Sequence, residues 1–255
     1  MILDVHIHLG EDVVFDEAVT EEELVDHCQI HGVSGGIVQP YLCRPYIEDT
    51  REIHDRIARF CRSGNLMLWG MASINPHFRP EDYDAEARRC MEELGFVGIK
   101  ITPIGHACHP SGKDALHVFE VCRALKVPLM IHTGNGVPFS DPISVQRAVE
   151  QFPDVPVVLA HAGSEMHNQQ AIYLARIHDN VFLEPSWVGA IAVGNMLKTL
   201  GASKILFSSD NIYQIPVELA KYRSVIRDPE ELSRVLYRNA VDIYGLDIGH
   251  GGISR

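Results

Sequence analysis

Eight short apolar runs, separated by longer segments at helical spacing, predict an α/β protein of the (β/α)8 TIM-barrel class. Three observations lead there. The alternation is the pattern of repeated βα units wrapped around a parallel sheet. The length, 255 residues, is close to the roughly 250 typical of one such barrel. Histidines, a lysine and an aspartate end the runs instead of lying on helix faces, where the strand ends of a barrel carry its active site. One barrel domain spanning 1–255 is expected.

The strand-like runs, in chain order, are 2–8, 35–41, 66–74, 96–101, 128–133, 155–161, 181–186 and 204–209, rich in Val, Ile and Leu. Such residues fit a pleated, buried surface. Eight runs close a barrel. The segments 21–30, 82–94, 114–125 and 142–151 carry helix formers at helical spacing and supply the outer ring. His8, Lys100, His132, His161 and Asp210 each end or directly follow a run, so they are expected together at one rim.

The first run carries the clearest chemistry. Side chains alternate across a strand, so Asp4, His6 and His8 are expected inside the barrel, with Leu3, Val5 and Ile7 facing the helices. Two imidazoles and a carboxylate in an apolar interior cost several kcal/mol unless they find partners, and a cation supplies one. Two histidines one residue apart can converge on a single ion, with Asp4 one layer deeper as their support. His132 ends the fifth run as a third ligand, His161 reaches the same cavity from the sixth, and Asp210 approaches from the eighth, which neighbours the first in a closed barrel. Asp210 is read as a catalytic group and not a helix cap, because no helix opens directly after it.

Charge and composition exclude several function classes. Lys and Arg number 22 against 34 Asp and Glu, a formal net charge of -12 that disfavours a nucleic-acid partner. No apolar run approaches the roughly 18 residues of a membrane span, and the first strand starts directly after Met1, so neither membrane association nor a signal peptide is expected. The six cysteines are widely spaced without C-x-x-C pairs, which reads as reduced thiols and a cytoplasmic location. A small-molecule substrate is the expected partner, and a homo-oligomer is compatible with these features.

The pattern resembles the amidohydrolase superfamily, and within it the amidohydrolase-related (amidohydrolase 2) hydrolases and decarboxylases. The resemblance rests on Asp4-Val5-His6-Ile7-His8-Leu9-Gly10, Gly95-Phe96-Val97-Gly98-Ile99-Lys100 with Pro103, Ile131-His132-Thr133-Gly134, His161-Ala162-Gly163, Ser209-Asp210, and the tail from Asn239-Ala240 to Tyr244-Gly245-Leu246. It implies that His6, His8, His132 and Asp210 bind one divalent metal, zinc ahead of manganese, and that His161 contacts water or substrate. A second metal bridged by carboxylated Lys100 ranks below this. As a free amine Lys100 can instead bind a substrate carboxylate, with pairing to an interior carboxylate such as Glu184 as the lesser alternative. The family's Lys-x-His-Pro is here Lys100-Ile101-Thr102-Pro103, its Gly-Ser-Asp is Ser208-Ser209-Asp210, and the following proline comes late, at Pro216. These departures fall where substrate would sit.

Arg44, Trp187 and Tyr213, with Tyr41 and Asn75, follow strands and are weaker candidates for lining the pocket. Arg44 is the one suited to grip an anion. His106 and His109 read as ordinary surface histidines of the loop after the fourth strand. The function expected first is hydrolysis of a small ester, lactone or amide, with a metal lowering the pKa of its water toward about 7 and Asp210 moving the proton. Non-oxidative decarboxylation of a small carboxylated aromatic on the same ligands comes second. A nuclease or phosphoesterase of the TatD or PHP type comes third, because the TatD pattern has Glu where this chain has Lys100 and no PHP-like Thr-Asp-His follows the second strand.

Overall fold

Strands and helices alternate from β1 (Leu3–Asp12) to a final helix, Asn239–Tyr244, in a computed structural model that describes residues 1–12, 17–41, 46–134 and 139–249. The further strands among the described residues are β2 (Glu17–Val19), β3 (Gly35–Pro40), β4 (Met67–Gly70), β5 (Ala72–Ser73), β6 (Ile99–Ile101), β7 (Leu129–His132), β8 (Val157–Ala160) and β9 (Val181–Glu184). β3 pairs in parallel with β1 and with β4, and β5 to β9 pair in parallel in sequence order. β4 and β5 are one barrel strand broken at Met71. The circle closes through parallel bridges Leu183↔Ile205 and Ile7↔Asp210, with Val5 N–H donating to Phe207 C=O at 3.2 Å and Asp210 N–H to His6 C=O at 2.9 Å. The eighth strand expected at 204–209 is thus present only as these bridges. β2, an antiparallel hairpin partner of the β1 extension, was not expected.

Two apolar layers divide the molecule. Leu3, Val5, Ile37, Met71, Met130, Val158, Ala160 and Leu206 fill the barrel, plugged by Ala240, Tyr244 and Leu246 of the C-terminal segment. Ile7, Leu9, Val38, Leu129, Ile131, Val157, Leu159 and Phe207 face the helices. The assignments on β1 correct the simple alternation: Leu3 and Val5 point inward, so Asp4 between them points outward. The reason is an irregularity in the β1–β3 register between Asp4 and Ile7. A bulge places an extra residue on one strand and shifts the alternation by one, so Val5 and His6 both face in. The Asp4 carboxylate holds the bulge, accepting from His6 N–H at 3.0 Å and Ser209 N–H at 3.1 Å. Gly36 lets β3 approach at that point, since a Cβ there would lie 2.2 Å from the Asp4 carbonyl oxygen.

The outer helices follow the sequence closely at Glu21–His31, Pro80–Glu92 and Lys113–Leu125. Thr20 and Glu23 form a capping box at the first of these, satisfying two backbone donors that a helix start leaves free. The helix expected at 142–151 is divided into a 3₁₀ turn, Pro142–Val145, and a short α-helix, Gln146–Gln151.

Candidate metal centre

The β1 bulge delivers His6 and His8 to the same place. Their Nε2 atoms are 3.1 Å apart, and Asp210 Oδ1 lies 2.9 Å from His6 Nε2 and 3.3 Å from His8 Nε2. The outer nitrogens are engaged by acceptors: His6 Nδ1 with Glu184 Oε2 at 2.8 Å, His8 Nδ1 with the Pro40 carbonyl at 2.9 Å. A carbonyl and an ionised carboxylate cannot donate, so both Nδ1 atoms carry protons. In the neutral rings both Nε2 lone pairs therefore face each other and a carboxylate oxygen. A carboxylate behind a histidine is the arrangement that orients an imidazole toward a metal.

His161 and His132 continue the row, with ring centroids 5.2 Å between His6 and His161 and 4.7 Å between His161 and His132. His161 Nδ1 meets Ser186 Oγ at 2.8 Å. The donor atoms of His6, His8 and Asp210 lie within 4.8 Å of one another, with His132 two rings along the row from His6. Lys100 Nζ enters from β6, 2.9 Å from His6 Nε2 and 3.6 Å from Met130 Sδ. The alternative pairing of Lys100 with Glu184 gives way to this contact, because Glu184 is committed to His6, to Ser186 N–H and to the Ser208 hydroxyl. Asp4 corrects likewise: it lies outside the barrel wall and positions the His6 backbone, not its ring.

The loops after β8 and β9 and the Asp210 turn hold left-handed backbone at non-glycine residues, His161 (φ 60°), Trp187 (φ 63°) and Asp210 (φ 65°). Such conformations cost of order 1–3 kcal/mol each and concentrate at functional sites. Asn211, not Asp210, caps the following turn by accepting from Tyr213 N–H, which leaves the Asp210 carboxylate to the site. Trp187 Nε1 donates to Asp210 Oδ2 at 2.7 Å. Tyr41 stacks on His8 with centroids 4.6 Å apart. Tyr213 is exposed and packs its ring edge to face with His27 at 4.8 Å. Arg44 lies outside the described residues. Asn75 binds the His77 backbone. His106, read as a surface residue, is buried, accepting from Thr102 N–H at Nδ1.

Charge balance in the row follows burial and neighbours. Burial raises the Asp210 carboxyl, but His6 and His161 outweigh it and hold the group well below its usual range. Glu184 is likewise held at about 2 by His6 against burial. Burial and Lys100 act to lower His6, and Asp210 and Glu184 overcome them, so its pKa is raised. Burial lowers His8, takes His161 to about 4 and His132 well down. Lys100 falls to about 8 through burial, partly offset by Asp210 and Glu184.

Residues 45–246 match the Amidohydro_2 amidohydrolase family. This chain is a member of the amidohydrolase family. The fold of this amidohydrolase superposes on a dihydroxybenzoic acid decarboxylase from a Polaromonas species, with bound manganese and the inhibitor 2-nitroresorcinol, at TM-score 0.77 and 16% identity over 96% of each chain. It also superposes on 4-oxalomesaconate hydratase from Rhodopseudomonas palustris at TM-score 0.73 and 17% identity, again over 96% of each. A curated relative, the delta subunit of the acetyl-CoA decarbonylase/synthase complex of Methanothermobacter thermautotrophicus, is 32% identical over 133 residues. That match takes in 50% of this chain and 33% of the relative, so the amidohydrolase spans about a third of the relative's length.

The family implies a divalent metal, and the residues fit one. Two neutral imidazoles whose lone pairs converge with a carboxylate have no proton among them, and the Lys100 amine reaches only one of the three, His6 Nε2. A cation satisfies all three acceptors at once, and imidazole and carboxylate suit zinc and manganese alike.

Proposed function

We propose that the protein is a metal-dependent lyase that removes a carboxyl group from a small, carboxylated aromatic substrate. The observation that carries this reading is Lys100, a buried amine 2.9 Å from His6 Nε2. Glu184 is spent on His6 and its own neighbours, so Asp210 is the remaining carboxylate facing both a divalent cation and an ammonium. Two cationic centres side by side call for a second anion, and a substrate carboxylate supplies it. His6, His8 and Asp210 hold the metal, with His132 as the fourth ligand. When bound, the metal polarises a substrate oxygen as a Lewis acid. Lys100 grips the carboxylate and His161, neutral and oriented by Ser186, faces the substrate. The bond to the carboxyl carbon breaks and carbon dioxide leaves, the electron pair stays on the ring carbon, and that carbon takes up a proton drawn from solvent and relayed by Asp210, which returns to its ionised form.

Hydrolysis of an ester, lactone or amide is the second reading. Asp210, held ionised, supports it, since an ionised carboxylate can accept a proton from water. The two readings thus exchange the order in which the sequence ranked them, and the family match adds nothing to the nuclease reading. The test loads the enzyme with manganese or zinc and offers hydroxybenzoates in deuterated water, beside aryl esters and lactones in a pH-stat. Carbon dioxide release with deuterium at the vacated ring carbon is expected. Metal-dependent hydrolysis without carbon dioxide from any acid would reverse the order.

A further inference from the structure

Three side chains of the site are held by one four-residue segment, 184–187, at the end of β9. Glu184 holds the His6 ring, Ser186 Oγ meets His161 Nδ1, and Trp187 Nε1 donates to Asp210 Oδ2. The segment is itself anchored from outside the barrel. Glu218 Oε1 accepts from Trp187 N–H at 3.0 Å and Lys221 Nζ donates to the Pro185 carbonyl at 2.7 Å. Both lie on the helix Ile215–Val225, are buried, and form an ion pair. A charged pair buried there costs desolvation and is a poor way to gain stability. What it does accomplish is geometric, since it ties down both ends of the Pro185–Trp187 stretch, whose Trp187 backbone sits at φ 63°.

The Asp210 carboxylate shows the consequence. Oδ1 faces the His6 and His8 nitrogens, while Oδ2 is taken by the indole N–H. A carboxylate with both oxygens free can turn about its Cβ–Cγ bond or offer both to a cation. Asp210 has one oxygen assigned. Trp187 is 49% exposed, so burial alone does not account for its placement, and the hydrogen bond to a charged acceptor does.

We propose that Trp187 is a positioning residue that makes Asp210 a one-oxygen ligand of the metal, and that the Glu218–Lys221 pair is the anchor that keeps Trp187 in place. The inference rests on the reading of the His6–His8–Asp210 cluster as a metal site and is independent of which reaction the site performs. Glu218 and Lys221 touch no ligand, so their effect reaches the metal only through the segment.

The test is metal affinity, measured by competition of the metal-free full chain with a chelating dye for zinc or manganese. Trp187→Phe keeps an aromatic ring, though a smaller one, and removes the N–H; Trp187→Ala removes both. Loss of a supporting hydrogen bond behind a ligand typically weakens metal binding about 10- to 100-fold. About tenfold weaker binding is expected for both variants, with the melting temperature of metal-free W187F unchanged. Intrinsic fluorescence supplies a second readout, because Trp187 and Trp69 are the protein's two tryptophans. Metal should change the emission of the wild type and leave that of W187F, which reports Trp69 alone, nearly constant. Lys221→Met should reproduce the weaker binding and blunt the wild-type emission change. Wild-type affinity in W187F overturns the proposal even where wild type binds metal tightly; failure of the wild type to bind either metal overturns it together with the metal site. If only Trp187→Ala weakens binding, the ring and not the N–H is responsible, and the proposal also falls.

Discussion

Glu86→Gln should remove a pH-dependent share of the stability, and the structure sets its size. Glu86 lies buried between two outer helices and accepts from Arg89 Nη2 at 2.9 Å and from His54 Nδ1 at 2.7 Å. The tautomer is fixed because His54 Nε2 accepts from Ser73 N–H at 3.1 Å. Cys90 adjoins this cluster, but with the guanidinium already on the carboxylate it reads as a structural strap that ties the outer helices to β5. Burial acts to raise the Glu86 pKa, and His54 and Arg89 overcome it, taking the group from 4.5 to about 2. At about 1.36 kcal/mol per unit this corresponds to about 3 kcal/mol. The folded-state pKa is depressed, so the contribution is complete above 4.5 and is lost as pH falls through 2. Between pH 6 and pH 3 about 2 kcal/mol of it should go. Urea unfolding of wild type and E86Q at several pH values measures the gap, which should narrow by that amount toward acid while contributions from other carboxylates cancel. A gap that stays constant from pH 6 to pH 3 would refute the charged-strap reasoning.

His6→Ala and His8→Ala should each lower metal content sharply, and elemental analysis of wild type purified without chelator should find one divalent ion per chain. Two ions per chain, with extra mass on Lys100, would argue for a bridged pair instead. Asp210→Asn keeps a ligating oxygen but is no base at neutral pH, so turnover should fall about 100- to 10,000-fold with a smaller loss of metal, and near-normal turnover would move the proton transfer to His161. Lys100→Met should retain the metal and raise the KM for carboxylated substrates while sparing uncharged esters; equal losses on both would remove the carboxylate-gripping role.

Much of the barrel is legible in the sequence because inside and outside residues segregate along each strand. Leu129 and Ile131 face the helices while Met130 and His132 face in, and Val157, Leu159 and Val158, Ala160 divide the same way. Apart from β1, which runs on to Asp12, the strands are shorter than the apolar runs, since runs such as 96–101 include residues that approach the sheet before pairing with it, leaving β6 as Ile99–Ile101. The eighth strand reads as a full run, yet most of its backbone makes single contacts to β9 and β1 where the barrel closes. β2 is three residues long, too short for a period to register.

The histidines were legible for a different reason: a polar ring at the end of an apolar run has few structural uses. What they bind to was not, because each supporting contact crosses from one strand to another far away in the chain. Glu184 stands at a strand end in the sequence just as His161 does, and that position is a signal that could have marked it for the site, but its partner His6 is 178 residues away. The bulge was hidden for a subtler reason. Asp4-Val5-His6-Ile7-His8 alternates so regularly in residue type that it reads as a flat strand, yet a flat strand would set Asp4 beneath the two rings. With the bulge, Asp4 spends its carboxylate on the His6 and Ser209 N–H groups, the two backbone points where the first and last strands meet. The residue that looked like support for the metal is support for the closure of the barrel, and that closure brings Asp210 to the histidines.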